Sequence, residues 1–185
     1  MQAEFAEVSV GSLERVEQFK SELVPDRTVE IWLPDGYSAD NDYAVVYMHD
    51  GQMLFDESKT WNGQEWHVDE TAQKLIDEGA VAPFIVVGIF NGDAHRHNEY
   101  FPQKPFENLP KTLQETLYEQ SRGAGHGLFA RSVNSDNYLK FIVHEVRPYI
   151  ESTYSVDSKR SYLMGSSMGG LISWYGLLEY PEVFA

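Results

Sequence analysis

The sequence predicts an α/β protein, a mostly parallel central sheet with helices on both faces, entered through an antiparallel hairpin. Three observations predict it. Two segments near the start alternate apolar and polar residues across a turn; three later apolar runs are too unbroken for strands with one wet face; helical patterns lie between those runs. The 185 residues, 42% apolar, 14% aromatic and 23% charged, suffice for one packed core and are too few for two ordinary domains.

Residues 1–12 read as a loosely held N-terminal arm and residues 13–185 as a single domain without repeats or linkers. Residues 13–20 alternate through Leu13, Val16 and Phe19, and residues 27–33 through Val29, Ile31 and Leu33. Pro25-Asp26 turns between them and Pro34-Asp35-Gly36 stops the second, so the pair predicts a hairpin. Residues 43–48, 84–90 and 162–164 are the candidate buried parallel strands. Residues 65–78 carry Trp66, Ala72, Leu75 and Ile76 at helical spacing, with Gly79 as the stop. Residues 136–151 carry Leu139, Ile142, Val143 and Val146, with Ser135 as a candidate cap and Pro148 expected to distort the last turn. Residues 91–134, rich in Gly, Pro, His and aromatics, break the rhythm and read as a lid or pocket loop.

Composition excludes several function classes. Lys and Arg number 14 against 29 Asp and Glu, a formal charge of −15 that repels phosphate backbones and anionic lipid, so neither a nucleic acid nor a membrane is an expected partner. There is no cysteine, hence no disulfide and no thiolate metal site. The apolar runs fall short of the roughly 18 residues that span a bilayer. The first ten residues do not resemble a secretion signal, so a cytoplasmic location is expected, with a periplasmic or secreted one left open. Oligomeric state is not legible.

One motif carries chemistry. Gly165-Ser166-Ser167-Met168-Gly169 is a Gly-x-Ser-x-Gly pattern placed where an apolar strand gives way to an apolar helix. A serine at the apex of such a bend has a strained backbone, and its neighbours two residues away must be small so that strand and helix can approach. Ser167 is thus the candidate nucleophile and Ser166 a turn residue. The helix start behind it offers free N–H groups to a developing oxyanion. A second donor is expected from the loop leaving an earlier strand, at His49-Asp50-Gly51-Gln52, where Gly51 permits close backbone approach. The candidate oxyanion donors are the N–H of Met168 and that of Gln52 or Gly51; the alternative is that Asp50-Gly51 is only a turn.

With those residues in view, the chain resembles the esterase D type, or "putative esterase", family of α/β-hydrolases. That family includes enterochelin esterase-like, feruloyl and acetyl xylan esterase-like enzymes and S-formylglutathione hydrolases. The resemblance covers about residues 13–185. It rests on RTVEIWLPDGY at 27–37, HDGQ at 49–52 with Leu54-Phe55-Asp56, TWNG at 60–63, RHNEY at 96–100, Pro148-Tyr149-Ile150 and the serine bend. It implies an α/β-hydrolase fold and a serine ester hydrolase working through an acyl-enzyme on Ser167. Met168 and Gln52 would hold the oxyanion, Arg96, Glu99 and Tyr100 would shape or brace the substrate pocket, and Trp61 would stand near its rim. For Arg96 and Glu99 a structural ion pair that fixes the loop is the alternative.

In this fold the chain order is nucleophile, acid, histidine. The 18 residues after Ser167 contain Glu179 and Glu182 and no histidine. His49, His67, His95, His97, His126 and His144 all lie upstream and read as structural or solvated. His95 and His97 lack a partner at metal-ligand spacing, so no metal site and no cofactor are expected. The strands that flank the serine strand on its far side in this family are not found either, which would leave residues 162–164 as an exposed apolar edge. The expectation is therefore the N-terminal part of a longer hydrolase, nearly inactive alone. Its substrate is expected to be a small-molecule carboxylic ester of a carbohydrate, phenolic or siderophore-like compound. A non-catalytic ligand-binding member of the fold and an acyltransferase are the alternatives. The aromatics Tyr100, Phe101, Phe106, Tyr118 and Phe129 could stack on such a substrate or form a small core of their own.

Overall fold

The computed structural model describes residues 5–120, 129 and 132–185. Strands β1 (Ser12–Phe19) and β2 (Arg27–Leu33) form the expected hairpin, with Val16 opposite Val29. Strands β3 (Tyr43–His49), β4 (Phe84–Ile89) and β5 (Val156–Met164) complete a five-stranded sheet of order β1-β2-β4-β3-β5. Strand β4 is antiparallel to β2 and parallel to β3, and β3 is parallel to β5, with Val46 beside Val86 on one side and Tyr162 on the other.

Alternation along the strands sorts two cores. Val45 and Tyr47 join Val87 and Ile89 on one face, and Met48, Val86 and Trp32 share the other. Helix α1 (Val68–Asp77) covers the second face through Val68, Ala72 and Ile76. It begins three residues later than its periodicity suggests, because Trp66 and Val68 donate their N–H groups to the carbonyls of Met53 and Leu54 and His67 turns left-handed. Gly79, at φ 67°, provides the expected stop.

Residues 91–120 are more helical than a loop. They contain α2 (Arg96–Tyr100), α3 (Gln103–Glu107) and α4 (Lys111–Glu119), each too short to declare itself by periodicity. Phe101, Phe106, Tyr118 and Phe129 pack edge-on, at centroid distances of 5.0 to 6.4 Å, so these rings form a core of their own.

The long helix continues from α5 (Ser135–Phe141) through a π-helical turn at Ile142–Val146 into α6 (Arg147–Thr153), covering the first face through Leu139, Ile142, Val146 and Ile150. Pro148 acts one turn earlier than expected. Lacking an N–H, it cannot bond the carbonyl four residues back, and the widened turn before it absorbs the mismatch. Ser135 is not the cap; Asn134 holds that position, and the Ser135 hydroxyl accepts the Gln103 N–H at 2.9 Å.

Strand β5 starts six residues before Tyr162, its first half disguised by Asp157, Ser158, Lys159 and Arg160. It is the last strand of the sheet, and Tyr162 and Met164 are exposed on it. Helix α7 (Met168–Glu179) follows directly and packs so closely that a Cβ on Gly176 would lie 2.5 Å from Leu163 Cδ1.

Candidate active site

The bend between β5 and α7 has the geometry its glycines suggest. Ser167 stands at φ 57°, ψ −118°, a combination that side-chain-bearing residues avoid unless the surroundings enforce it. What enforces it is close approach: a Cβ on Gly165 would sit 2.7 Å from the Gly169 carbonyl carbon. The Ser167 side chain is exposed. Met168 is the first residue of α7, so its N–H has no acceptor within the helix. Ser166, also exposed, is a turn residue whose carbonyl accepts the Gly169 N–H at 2.8 Å.

Charge builds the facing wall. Strand β3 ends at His49, and Asp50 takes a left-handed conformation (φ 59°) before a single 3₁₀ turn, Gly51–Met53. In that turn the first bonds run from Met53 N–H to Asp50 O and from Leu54 N–H to Gly51 O, so the Gly51 and Gln52 amides precede the internal pairing. The Asp50 carboxylate accepts from Arg96 Nε (2.7 Å) and Nη2 (2.8 Å) and from Asn91 Nδ2 (2.7 Å); its backbone N–H donates to the Tyr100 hydroxyl at 3.2 Å. The Gln52 side chain accepts the Asn91 N–H at 3.2 Å. Gly51 is required for another reason, since a Cβ there would lie 2.6 Å from the Gly88 carbonyl carbon of β4. The bond to Asp50 is the main reason the Arg96 guanidinium is held above its ordinary value.

A cleft of about 720 Å³ opens between the two walls, lined by Ser166, Ser167, Gln52, Asn91, Arg96 and Trp61 together with Asp50, Met53, Lys59, Asn62, Trp66 and Asp93. The structure thus brings together Ser167, Gln52, Trp61 and Arg96 of the residues the sequence singles out. Trp61, 86% exposed, is on the rim. Met168 and Gly51 adjoin the cleft through their neighbours, Ser167 and Gln52.

Glu99 and Tyr100 do not line it. They are 1% and 0% exposed and stand behind the wall. Nor do Arg96 and Glu99 pair with each other: Arg96 holds Asp50, and Glu99 holds Arg27 of β2 through bonds of 2.9 and 2.7 Å. Burial alone would lower the Arg27 guanidinium, and the Glu99 carboxylate more than offsets it. Sequence reasoning missed Asp50 and Asn91 as anchors and Arg27 as the partner of Glu99. The available signal was an acidic residue at a strand end, which on burial must find a cation.

Among the described residues no histidine lines the cleft. His49 is fully buried, its Nδ1 2.8 Å from the Tyr138 hydroxyl, and burial lowers it to about 4, so the ring is neutral near pH 7. His126 lies outside the described residues.

The family model described as "Putative esterase" matches residues 21–185. The ferri-bacillibactin esterase BesA of Bacillus subtilis (strain 168) is 24% identical over 147 residues, 77% of this chain and 45% of that protein. Among solved structures, an IroE-like serine hydrolase from Shewanella oneidensis superposes with a TM-score of 0.67 at 25% identity, over 94% of this chain and 48% of the other. A CE1 ferulic acid esterase from Anaeromyces mucronatus gives 0.61 at 18% identity, over 99% of this chain and 58% of the other. The chain spans about half the length of the curated relatives it matches, between 45% and 59%.

Proposed function

The chain belongs to the "Putative esterase" family, with an α/β-hydrolase fold, and from that premise we propose that it is a serine ester hydrolase acting through an acyl-enzyme on Ser167. The Ser167 hydroxyl attacks the acyl carbon and loses its proton to a base. The carbonyl electron pair moves onto oxygen, the tetrahedral adduct collapses as the alcohol leaves with the proton held by the base, and water then hydrolyses the acyl-Ser167 ester to release the carboxylic acid and restore the hydroxyl. Amide hydrogens of Met168 and of Gln52 or Gly51 stabilise the transient oxyanion. Arg96 acts on the reaction indirectly, by holding Asp50 and with it the turn that carries Gln52. Trp61 and Trp66 give the cleft aromatic faces suited to a phenolic or sugar ring, and the names of the related esterases point the same way.

The observation that carries this reading is the backbone of Ser167, strained, solvent-facing and at the head of α7. With no imidazole on the cleft wall among the described residues, slow acylation is expected of these 185 residues alone, close to the 10³ to 10⁴ over water that donors and binding retain in a protease lacking a triad member. Added imidazole supplies the base. Hydrolysis of p-nitrophenyl butyrate by the wild-type chain should rise with imidazole well above that of Ser167→Ala, after subtraction of the protein-free rate. Equal rates for the two proteins at every imidazole concentration would refute the proposal.

A further inference from the structure

Behind the cleft lies a polar cluster that the ester chemistry does not use. His49, Tyr100 and Tyr138 are fully buried and come from the end of β3, from α2 and from α5. Their rings meet pairwise, at centroid distances of 5.2 to 5.6 Å. The His49 ring, uncharged near pH 7, is hydrogen-bonded through Nδ1 to the Tyr138 hydroxyl at 2.8 Å, while its Nε2 has no partner among the described residues. That single bond is what offsets the cost of taking an imidazole wholly out of water.

The cluster reaches the turn after β3 by three routes. Tyr138 is hydrogen-bonded to Tyr100, and the Tyr100 oxygen accepts the Asp50 N–H at 3.2 Å. The Arg96 guanidinium, which grips the Asp50 carboxylate, lies over the Tyr100 ring, 5.0 Å from its centroid. His49 itself precedes Asp50 in the chain, and a Cβ on Gly169, in the first turn of α7, would lie 3.4 Å from both His49 Cβ and Asp50 Oδ2. The cluster therefore stands behind both walls. Asp50 is buried and left-handed, so an Asp50 N–H deprived of its acceptor would be satisfied by turning that peptide, and the Gly51 and Gln52 amides would move with it.

We propose that His49 and Tyr138 are positioning residues: through Tyr100 they fix the Asp50 peptide and so hold the Gly51 and Gln52 N–H groups where the transient oxyanion forms. Neither touches substrate. The inference rests on the Ser167 ester reading and gives His49 a part in the reaction other than that of base. A displaced donor costs the oxyanion more than it costs the bound ester, so the effect falls on kcat and not on KM.

Saturation kinetics with p-nitrophenyl butyrate at one imidazole concentration test it, with far-UV circular dichroism checking each fold. Tyr138→Phe and Tyr100→Phe remove one oxygen each and keep the rings. Each should lower kcat about tenfold with KM within about twofold, and the double variant should fall no further than the more affected single one. At position 49, Asn keeps a polar group near the place of Nδ1 and Phe keeps a buried ring. His49→Asn should therefore retain more kcat than His49→Phe, whereas packing alone predicts the reverse. The tyrosine variants decide the question where a His49 variant does not fold. Wild-type kcat in Tyr138→Phe, losses that multiply in the double variant, or His49→Phe equalling His49→Asn overturns the proposal. A wild-type rate no higher than that of Ser167→Ala is the separate failure of the ester reading, and this inference falls with it.

Discussion

The two walls of the cleft are held by different physics. On the serine side, Gly165 and Gly169 let strand and helix touch, and Ser167 between them takes a positive-φ backbone conformation. On the facing side nothing is sterically forced except at Gly51. The turn is fixed because Asp50 is gripped by Arg96 and Asn91, and helix α2, which carries Arg96, is anchored to the sheet by the buried pair Glu99–Arg27. A steric wall is written in nearly adjacent residues; an electrostatic wall is written in residues 41 to 72 positions apart. The first should respond to added volume, the second to removed charge.

The largest effect is expected from the charged wall. Arg27→Met leaves Glu99 buried without its partner and should lower stability by about 3–5 kcal/mol in urea unfolding. If the change costs less than about 1 kcal/mol, ion pairing is not what anchors α2.

Next comes pH. His49 in the folded chain lies at about 4, below the 6.5 of an unfolded histidine, because it is buried. As pH falls from about 6.5 to 4 the unfolded state takes up the proton first. The stability contribution is complete above 6.5 and is lost through that window, about 3 kcal/mol in all. His49→Asn should flatten this part of the stability profile, and an unchanged slope would show that other groups set it.

On the steric wall, Gly165→Ala should cost about 1–3 kcal/mol and disturb the Ser167 conformation, since the new methyl group meets backbone on the opposite side. A neutral result by thermal unfolding would mean that the bend is not closely packed. Trp61→Ala marks the smallest effect. This ring is exposed, so stability should change by less than about 0.5 kcal/mol while KM for an aromatic ester rises. A large drop in Tm would give the ring a structural role instead.

The difference between the walls also explains what was legible in the sequence. The hairpin, the strands β3 and β4, the serine bend and helix α7 follow from periodicity and glycine placement, both local properties. Helices α2 to α4 were hidden because five to nine residues span too few turns for a pattern to emerge. The first half of β5 was hidden because an edge strand tolerates the polar run from Asp157 to Arg160. At the site, Ser167 and Gln52 were legible. The Asp50–Arg96 grip and the Arg27–Glu99 pair were not, because a pairing between distant charges is a property of the folded chain. Glu99, paired with Arg27, and Tyr100, whose hydroxyl accepts the Asp50 N–H, therefore stand behind the cleft and not in it.

The most direct measurement is the site of covalent modification. After treatment with a reactive fluorophosphonate in the presence of imidazole, proteolysis and tandem mass spectrometry should place one adduct per chain on Ser167 and none on its neighbour Ser166, with labelling abolished in Ser167→Ala. An adduct on Ser166, or undiminished labelling of the Ser167→Ala chain, would contradict the assignment of this hydroxyl as the nucleophile.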